Sequence, residues 1–219
     1  MNSMELRDAG RIANDFRSAR FWAAEMIENA LYPGACAVDA TLGNGHDALW
    51  LCNLVGKQGH VYGFDVQQAA VDRSAQRLAE ANLSGRATLI CDGHQNMRSY
   101  LREESADAIM FNLGWLPGAD HRVTTRTETT LAAVNAALQV LKMGGVMTVC
   151  VYPGHAEGAR ERDALLEWAR GIDEKQYDVM LKTYLNQTNH PPLMIAFKRN
   201  LQKKKCHAGS ARCQLLPRI

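Results

Sequence analysis

Short apolar runs alternate with helix-length segments along this chain until about residue 171, and then two apolar runs follow with no helix between them. That order admits few folds. Strands alternating with helices form a parallel sheet covered on both faces, because each strand reaches its parallel neighbour through a helical crossover. Two final strands with a short link form an antiparallel hairpin at one edge. A helical period over 12–31 places Ile12, Phe16, Ala19, Ala23, Ile27 and Leu31 on one face and is closed by Tyr32-Pro33-Gly34. Strands are expected over 35–41, 59–66, 86–92, 106–114 and 144–152, with helices over 46–55, 67–83, 126–141 and 157–171 and a short one over 93–101. The final pair falls at 177–185 and 193–199. The fold class is therefore α/β: one domain over 1–199 with a mainly parallel seven-stranded sheet and an antiparallel C-terminal hairpin. Gly144-Gly145 reads as a double glycine leading from a helix end into the fifth strand, and such a pair also simply caps a helix.

Bulk properties narrow the function classes. No apolar run approaches the roughly 20 residues that span a bilayer, and the first residues are polar and charged, so a cytoplasmic protein without membrane contact is expected. The net charge of +2 conceals an asymmetry. Residues 200–219 hold five of the 25 basic residues and no acid, which leaves 20 basic against 23 acidic residues in the rest. That body lacks the strongly basic character of a dedicated nucleic-acid binder, so RNA contact needs a local patch or the tail. The tail lacks an apolar period and is expected to be disordered. Cys36, Cys52, Cys91 and Cys150 lie in or beside apolar segments and read as small buried hydrophobes. No C-x-x-C pair occurs, so no metal site is expected.

The stretch from Val38, VDATLGNGHDALWL, joins the first strand to its helix through two glycines. A glycine-rich turn there usually holds a nucleotide. Gly43-Asn44-Gly45-His46-Asp47-Ala48 fits the G-x-G-x-x-A dinucleotide fingerprint, and Asp65 supplies the acid wanted about twenty positions on. An NAD-dependent oxidoreductase is thus one reading. Five parallel strands closed by a hairpin are instead the plan of class I methyltransferases, whereas a dinucleotide domain usually ends in a sixth parallel strand. Asp92-Gly93-His94 ends the third strand, where an acid can accept from an adenine amine or hold the next turn. Asn112 ends the fourth strand, followed by Trp115 and Pro117, an arrangement that echoes amino-methylating enzymes without matching N-P-P-Y.

Taken together, the chain resembles the bacterial rRNA-methylase-like class I methyltransferases. The matching segments are Asp39 to Asp47, Phe64 to Gln67, Gly93-His94, Asn112 to Asp120, Tyr152-Pro153-Gly154-His155, and Asn186 to Pro192, spanning residue 38 to about 198. At Trp115, Ala119 and His121 the chain departs from the family's usual Tyr, Gly and Lys. The resemblance implies a Rossmann-like class I fold, S-adenosylmethionine as cofactor, and tRNA as partner. The implied reaction methylates the 5-aminomethyl group of a 2-thiouridine at the wobble position. It assigns cofactor contacts to Gly43, Asn44, Gly45, Asp47, Asp65, Gln67, Asp92, Gly93 and His94. Asn112 and Asp120 would orient the amine. Trp115, Tyr152, His155, Asn186 and Asn189 would meet the substrate. A methyltransferase of a small amine or of another RNA stays open, as do a nucleotide-sensing module and a homodimer.

Overall fold

The structure is a computed structural model that describes residues 18–114 and 125–201. In chain order its elements are α1 (Ala19–Ala30), β1 (Cys36–Asp39), α2 (His46–Val55), β2 (His60–Asp65), α3 (Gln68–Glu80), β3 (Ala87–Cys91) and β4 (Ala106–Asn112). There follow α4 (Thr127–Val140), β5 (Leu141–Val151), α5 (Ala156–Arg170), β6 (Tyr177–Lys182) and β7 (Leu193–Arg199). Turns of 3₁₀ helix cover Ser84–Arg86 and His94–Ser99. Among the described residues the strands form one seven-stranded sheet in the order β3-β2-β1-β4-β5-β7-β6. β3 to β5 run parallel across this order, and β7 is antiparallel to both β5 and β6. The expected α/β plan with its terminal hairpin is what the chain adopts.

The period-two alternation of strand side chains assigns the two faces. Val38, Ile109, Phe111, Met147, Val149, Ile195 and Phe197 pack with residues of α4 and α5, whereas Ala37, Val61, Ala108 and Met110 pack with residues of α1, α2 and α3. α1 also lays Ala19, Trp22 and Ala23 against Cys150, Met194 and Ala196. Its start is fixed by Ser18, whose Oγ accepts from Phe21 N at 3.3 Å. Through this placement the N-terminal end of α1 lies beside the carboxyl ends of the strands, where Arg20 reaches Asp47.

Two expectations are corrected. The double glycine does not cap α4, because Val140 ends the helix and Leu141 already begins β5. Gly144 and Gly145 instead sit inside β5, where the register with β4 jumps from Ala106↔Leu141 to Ala108↔Val146. This bulge places Gly144 at φ +79°, a backbone that glycine tolerates best. Lys142 Nζ pins it by donating to Asp107 Oδ2 at 2.7 Å. Among the cysteines, Cys91 is exposed rather than buried, because it ends β3 at the sheet's margin.

Candidate active site

The strand order reverses between β1 and β4, and ligands of open α/β sheets bind in the crevice that this leaves outside the carboxyl ends of the strands. A cleft of about 730 Å³ opens there. That volume is in the range of sites that enclose small molecules. Arg20 of α1, the turn after β1, the ends of β2 and β4, and the segments after β3 and β5 all contribute to its lining.

The turn after β1 is a glycine structure by necessity. Gly43 and Gly45 have φ +53° and +72°. A Cβ on Gly45 would come within 2.9 Å of Ser74 Cα and closer still to Ser74 Oγ. α3 holds this turn from behind: Ser74 Oγ donates to Gly43 O at 3.2 Å, Arg77 Nε to Asn44 O at 2.8 Å, and Arg73 Nε to Asn44 Oδ1 at 3.1 Å. Asn44 lines the cleft with its side-chain oxygen already engaged by Arg73. Replacing Gly45 by alanine is expected to cost at least about 1–2 kcal/mol from the left-handed backbone alone, with the Ser74 contact added. The melting temperature against wild type measures it.

Asp65 ends β2 with both oxygens fixed by main chain: Oδ2 accepts from Gly43 N and Oδ1 from Gln67 N, each at 2.9 Å. A carboxylate oxygen has a further lone pair, so Asp65 can also accept a pair of neighbouring hydroxyls such as those of a ribose. Asp92 accepts from Asn96 Nδ2, Gly93 N and Tyr100 Oη, and these bonds, Asn96 first, hold its carboxyl below the usual range. It therefore organises its own turn while lining the cleft. His94 places Nδ1 3.1 Å from Ala40 O. A carbonyl only accepts, so Nδ1 carries the proton and Nε2 is left an acceptor. Burial lowers the pKa of this ring and keeps it neutral.

At the end of β4 three polar side chains interlock. Asp47 Oδ1 accepts from Arg20 Nη2 at 2.5 Å and its Oδ2 from Asn112 Nδ2 at 2.8 Å. Asn112 N donates to Thr41 Oγ1 at 2.8 Å. Asn112 Oδ1 is buried without a hydrogen-bond partner. Tyr152, just past β5, has its phenol pushed up to about 12, chiefly by burial, and so remains protonated. On the far side, Thr125 and Arg126 line the cleft in front of α4. Glu161 of α5, 1% exposed, accepts from Thr130 Oγ1 at 2.6 Å and Thr125 Oγ1 at 3.0 Å. Thr125 in turn pairs with Gly114 in both directions.

Comparison with known proteins fits this geometry. The rRNA methylase family model matches residues 61–198. The chain belongs to the rRNA methylase family. An Arabidopsis thaliana protein named tRNA (mnm(5)s(2)U34)-methyltransferase, chloroplastic, is 31% identical over 183 residues, 78% of this chain. The chain spans 66% of that relative's length, just under two thirds. A Clostridium thermocellum structure carrying the rRNA-methylase designation superposes with TM-score 0.82 at 39% identity, covering 84% of this chain and 98% of its own. A Streptococcus mutans methyltransferase solved with SAH gives TM-score 0.75 at 34% identity, covering 84% and 99%.

As an rRNA methylase family member the chain carries the class I S-adenosylmethionine-dependent methyltransferase architecture, and its cleft suits that cofactor. A Cβ-free turn, a backbone-held acid at the end of β2 and a neutral histidine are the kind of lining that fits a nucleoside with an amino-acid arm. Every residue read as cofactor-binding lies at the cleft except Gly45, which stands behind the turn as N-cap of α2. Tyr152 and His155 line the cleft as well, and His155 also caps α5, its Nδ1 accepting from Gly158 N at 3.1 Å. Asn186 and Asn189 are not brought to the cleft: they are exposed in the link between β6 and β7, at the same edge of the sheet. Asp120 and Trp115 lie outside the described residues.

Sequence reasoning missed Arg20, Thr125, Glu161 and Asp39. Asp39 carried a signal, an acid ending an otherwise apolar strand. It is fully buried, its Oδ1 accepts only Thr41 N, and its Oδ2 has no partner. Burial first, then the charge of Asp47, pushes its pKa up to about 8. An unfolded aspartate titrates near ~3.9, so the folded state holds this proton more tightly in between. The resulting stability is full below about pH 4 and is lost as pH rises toward 8. Asp39→Asn is expected to flatten that decline, melting above wild type at pH 8.5 with a smaller advantage at pH 5, as calorimetry would record.

Proposed function

We propose that this family member is an S-adenosylmethionine-dependent N-methyltransferase of tRNA, and that its acceptor is the 5-aminomethyl group of a 2-thiouridine at the wobble position. The observation that carries the reading is Asn112 at the end of β4, which lines the cleft and whose Oδ1 has no hydrogen-bond partner among the described residues. An amine nucleophile has N–H groups to place against such an oxygen. The name of the Arabidopsis relative supports the same acceptor.

When bound, S-adenosylmethionine supplies a methyl group already activated on a sulfonium, so the protein's share is alignment and exclusion of water. An amine attacks only when neutral. If its pKa resembled a lysine's, about 10.4, deprotonation at pH 7 would cost on the order of 4–5 kcal/mol, and less for a weaker base. Asn112 Oδ1 takes an N–H of the neutral amine and turns its lone pair toward the methyl group. On transfer of that methyl the sulfur would keep the carbon–sulfur pair, and the amine would give its surplus proton to solvent. Asp65 fixes the nucleoside end, Gly43 leaves room for the methionine part, and Tyr152 and His155 wall the acceptor side. A wobble base already lies in a single-stranded loop, so presenting it costs little unstacking. Trp115 would add stacking on that base. We assign the catalytic unit to residues 1–199 and treat 200–219 as a basic appendage.

The test is transfer of labelled methyl to bulk tRNA bearing 5-aminomethyl-2-thiouridine, against tRNA lacking the aminomethyl group. Label in the first alone supports the reading. Equal label in both would remove the amine as nucleophile, and label in a small amine but in neither tRNA would make the chain a metabolite methyltransferase.

A further inference from the structure

The hydrogen bonds that join Arg20, Asp47 and Asn112 have a direction. An ionised carboxylate only accepts, and both Asp47 oxygens are taken, one by Arg20 Nη2 and the other by Asn112 Nδ2. The Asn112 amide therefore has its nitrogen end at Asp47 and its oxygen end away from it. Rotating that amide by half a turn would set two acceptors against each other and bury an NH₂ group without an acceptor. Asn112 N, bound to Thr41 Oγ1 at 2.8 Å, fixes the backbone from which the side chain extends. What remains is the one buried oxygen without a partner in this cluster besides Asp39 Oδ2. Arg20 sets its guanidinium against Asp47 Oδ1 and leaves Oδ2 to the Asn112 amide.

We propose that Asp47 is a positioning residue rather than a cofactor ligand: paired with Arg20, it fixes the amide of the cleft-lining Asn112 with its nitrogen at Asp47 and its oxygen left unpaired for an acceptor role. This revises the role that the family resemblance gave Asp47. Both its oxygens are bound from within the protein, Oδ1 by the Arg20 guanidinium, so a cofactor ammonium approaching the remaining lone pairs would meet that positive charge. The inference rests on the proposed function only for the identity of the group that meets Oδ1. The orientation of the amide stands without it.

Asp47→Asn keeps the size of the side chain and removes both its charge and its acceptor-only character, so the facing amides can turn together. In the full chain, calorimetry should show less than threefold change in affinity for S-adenosylmethionine. The turnover number on aminomethylated tRNA should fall at least tenfold while KM for tRNA stays within twofold. Without RNA, the side-chain amide proton signals of Asn112, assigned by their loss in Asn112→Ala, should move upfield as the charged acceptor disappears. A tenfold or larger loss of cofactor affinity, or Asn112 signals left in place, would overturn the proposal. If Asp47→Asn does not fold, Arg20→Gln reads the same three quantities, with the Asn112 signals moving in the same direction. If wild type transfers no methyl to tRNA, the proposed function falls while the calorimetric and spectroscopic arms still decide this point.

Discussion

Asp65→Ala is expected to lose most of the cofactor affinity, by roughly tenfold to more than a hundredfold. A hydrogen bond to a charged acceptor is worth about 1.5–3 kcal/mol, and about 1.4 kcal/mol is a factor of ten in binding. The substitution removes more than the acceptor for a ribose. It also strips Gly43 N and Gln67 N of their partner, so the turn after β1 and the start of α3 lose the group that ties them together. The variant should therefore melt lower as well as bind weaker, and the two effects separate in Asp65→Asn. There one oxygen remains for a main-chain donor, but an NH₂ group faces the other. Calorimetric titration with S-adenosylmethionine and with NAD checks both. Wild-type binding of NAD with none of S-adenosylmethionine would return the cleft to the dinucleotide reading.

Asn112→Ala is expected to leave cofactor affinity within a few fold and to cut methyl transfer by about a hundredfold. Misplacing a reacting group by an ångström has an effect of that order, and without Oδ1 the amine has no fixed acceptor to aim its lone pair. Single-turnover transfer to aminomethylated tRNA at saturating cofactor isolates this step. A loss carried by cofactor affinity instead would make Asn112 a ligand of the methyl donor. Asn112→Asp tests the same oxygen with a charge added. It sets a second carboxylate against Asp47, in the place of an amide now 2.8 Å away, and two such groups do not both ionise readily. Its transfer rate should rise as pH falls, opposite to the dependence expected for a neutral-amine nucleophile.

The fold was legible because its two periodicities are strong. Val38, Ile109, Phe111 and Met147 alternate with Ala37, Ala108 and Met110 in strands that are buried on both faces, and the helices between them carry one apolar stripe each. The β5 bulge was not, since Gly144-Gly145 suits a helix cap and a bulge equally and only the β4 register distinguishes them. In the site, the glycines and Asp65 were legible because backbone approach and an acid at a fixed spacing leave a local mark. Arg20 left none: it lies 27 residues from Asp47, and its partner is set by how α1 packs on β4, β5 and β7. Glu161 was hidden in the same way, an acid on an amphipathic helix whose burial depends on meeting Thr125 and Thr130. Asn186 and Asn189 were placed on the correct edge of the sheet by the hairpin, but pattern alone does not measure how far a link stands from a cleft.

β7 lies between β5 and β6, so the last strand among the described residues is an inner strand of the sheet. During synthesis from the amino end, β6 therefore emerges before its neighbour exists. Val179, Met180 and Leu181, which stay partly exposed even in the finished sheet, then have no partner strand at all, and the edge of β5 stands open beside Arg20, Asp47 and Tyr152. Seven residues, Leu193–Arg199, close both gaps in one step. A chain cut between Lys182 and Leu193 leaves both β5 and β6 unpaired on this side of the sheet, where the complete sheet leaves only the outer side of β6 open. The C-terminal hairpin therefore completes the sheet only when its second strand is in place, and until then the apolar face of β6 and the side of β5 stay unpaired.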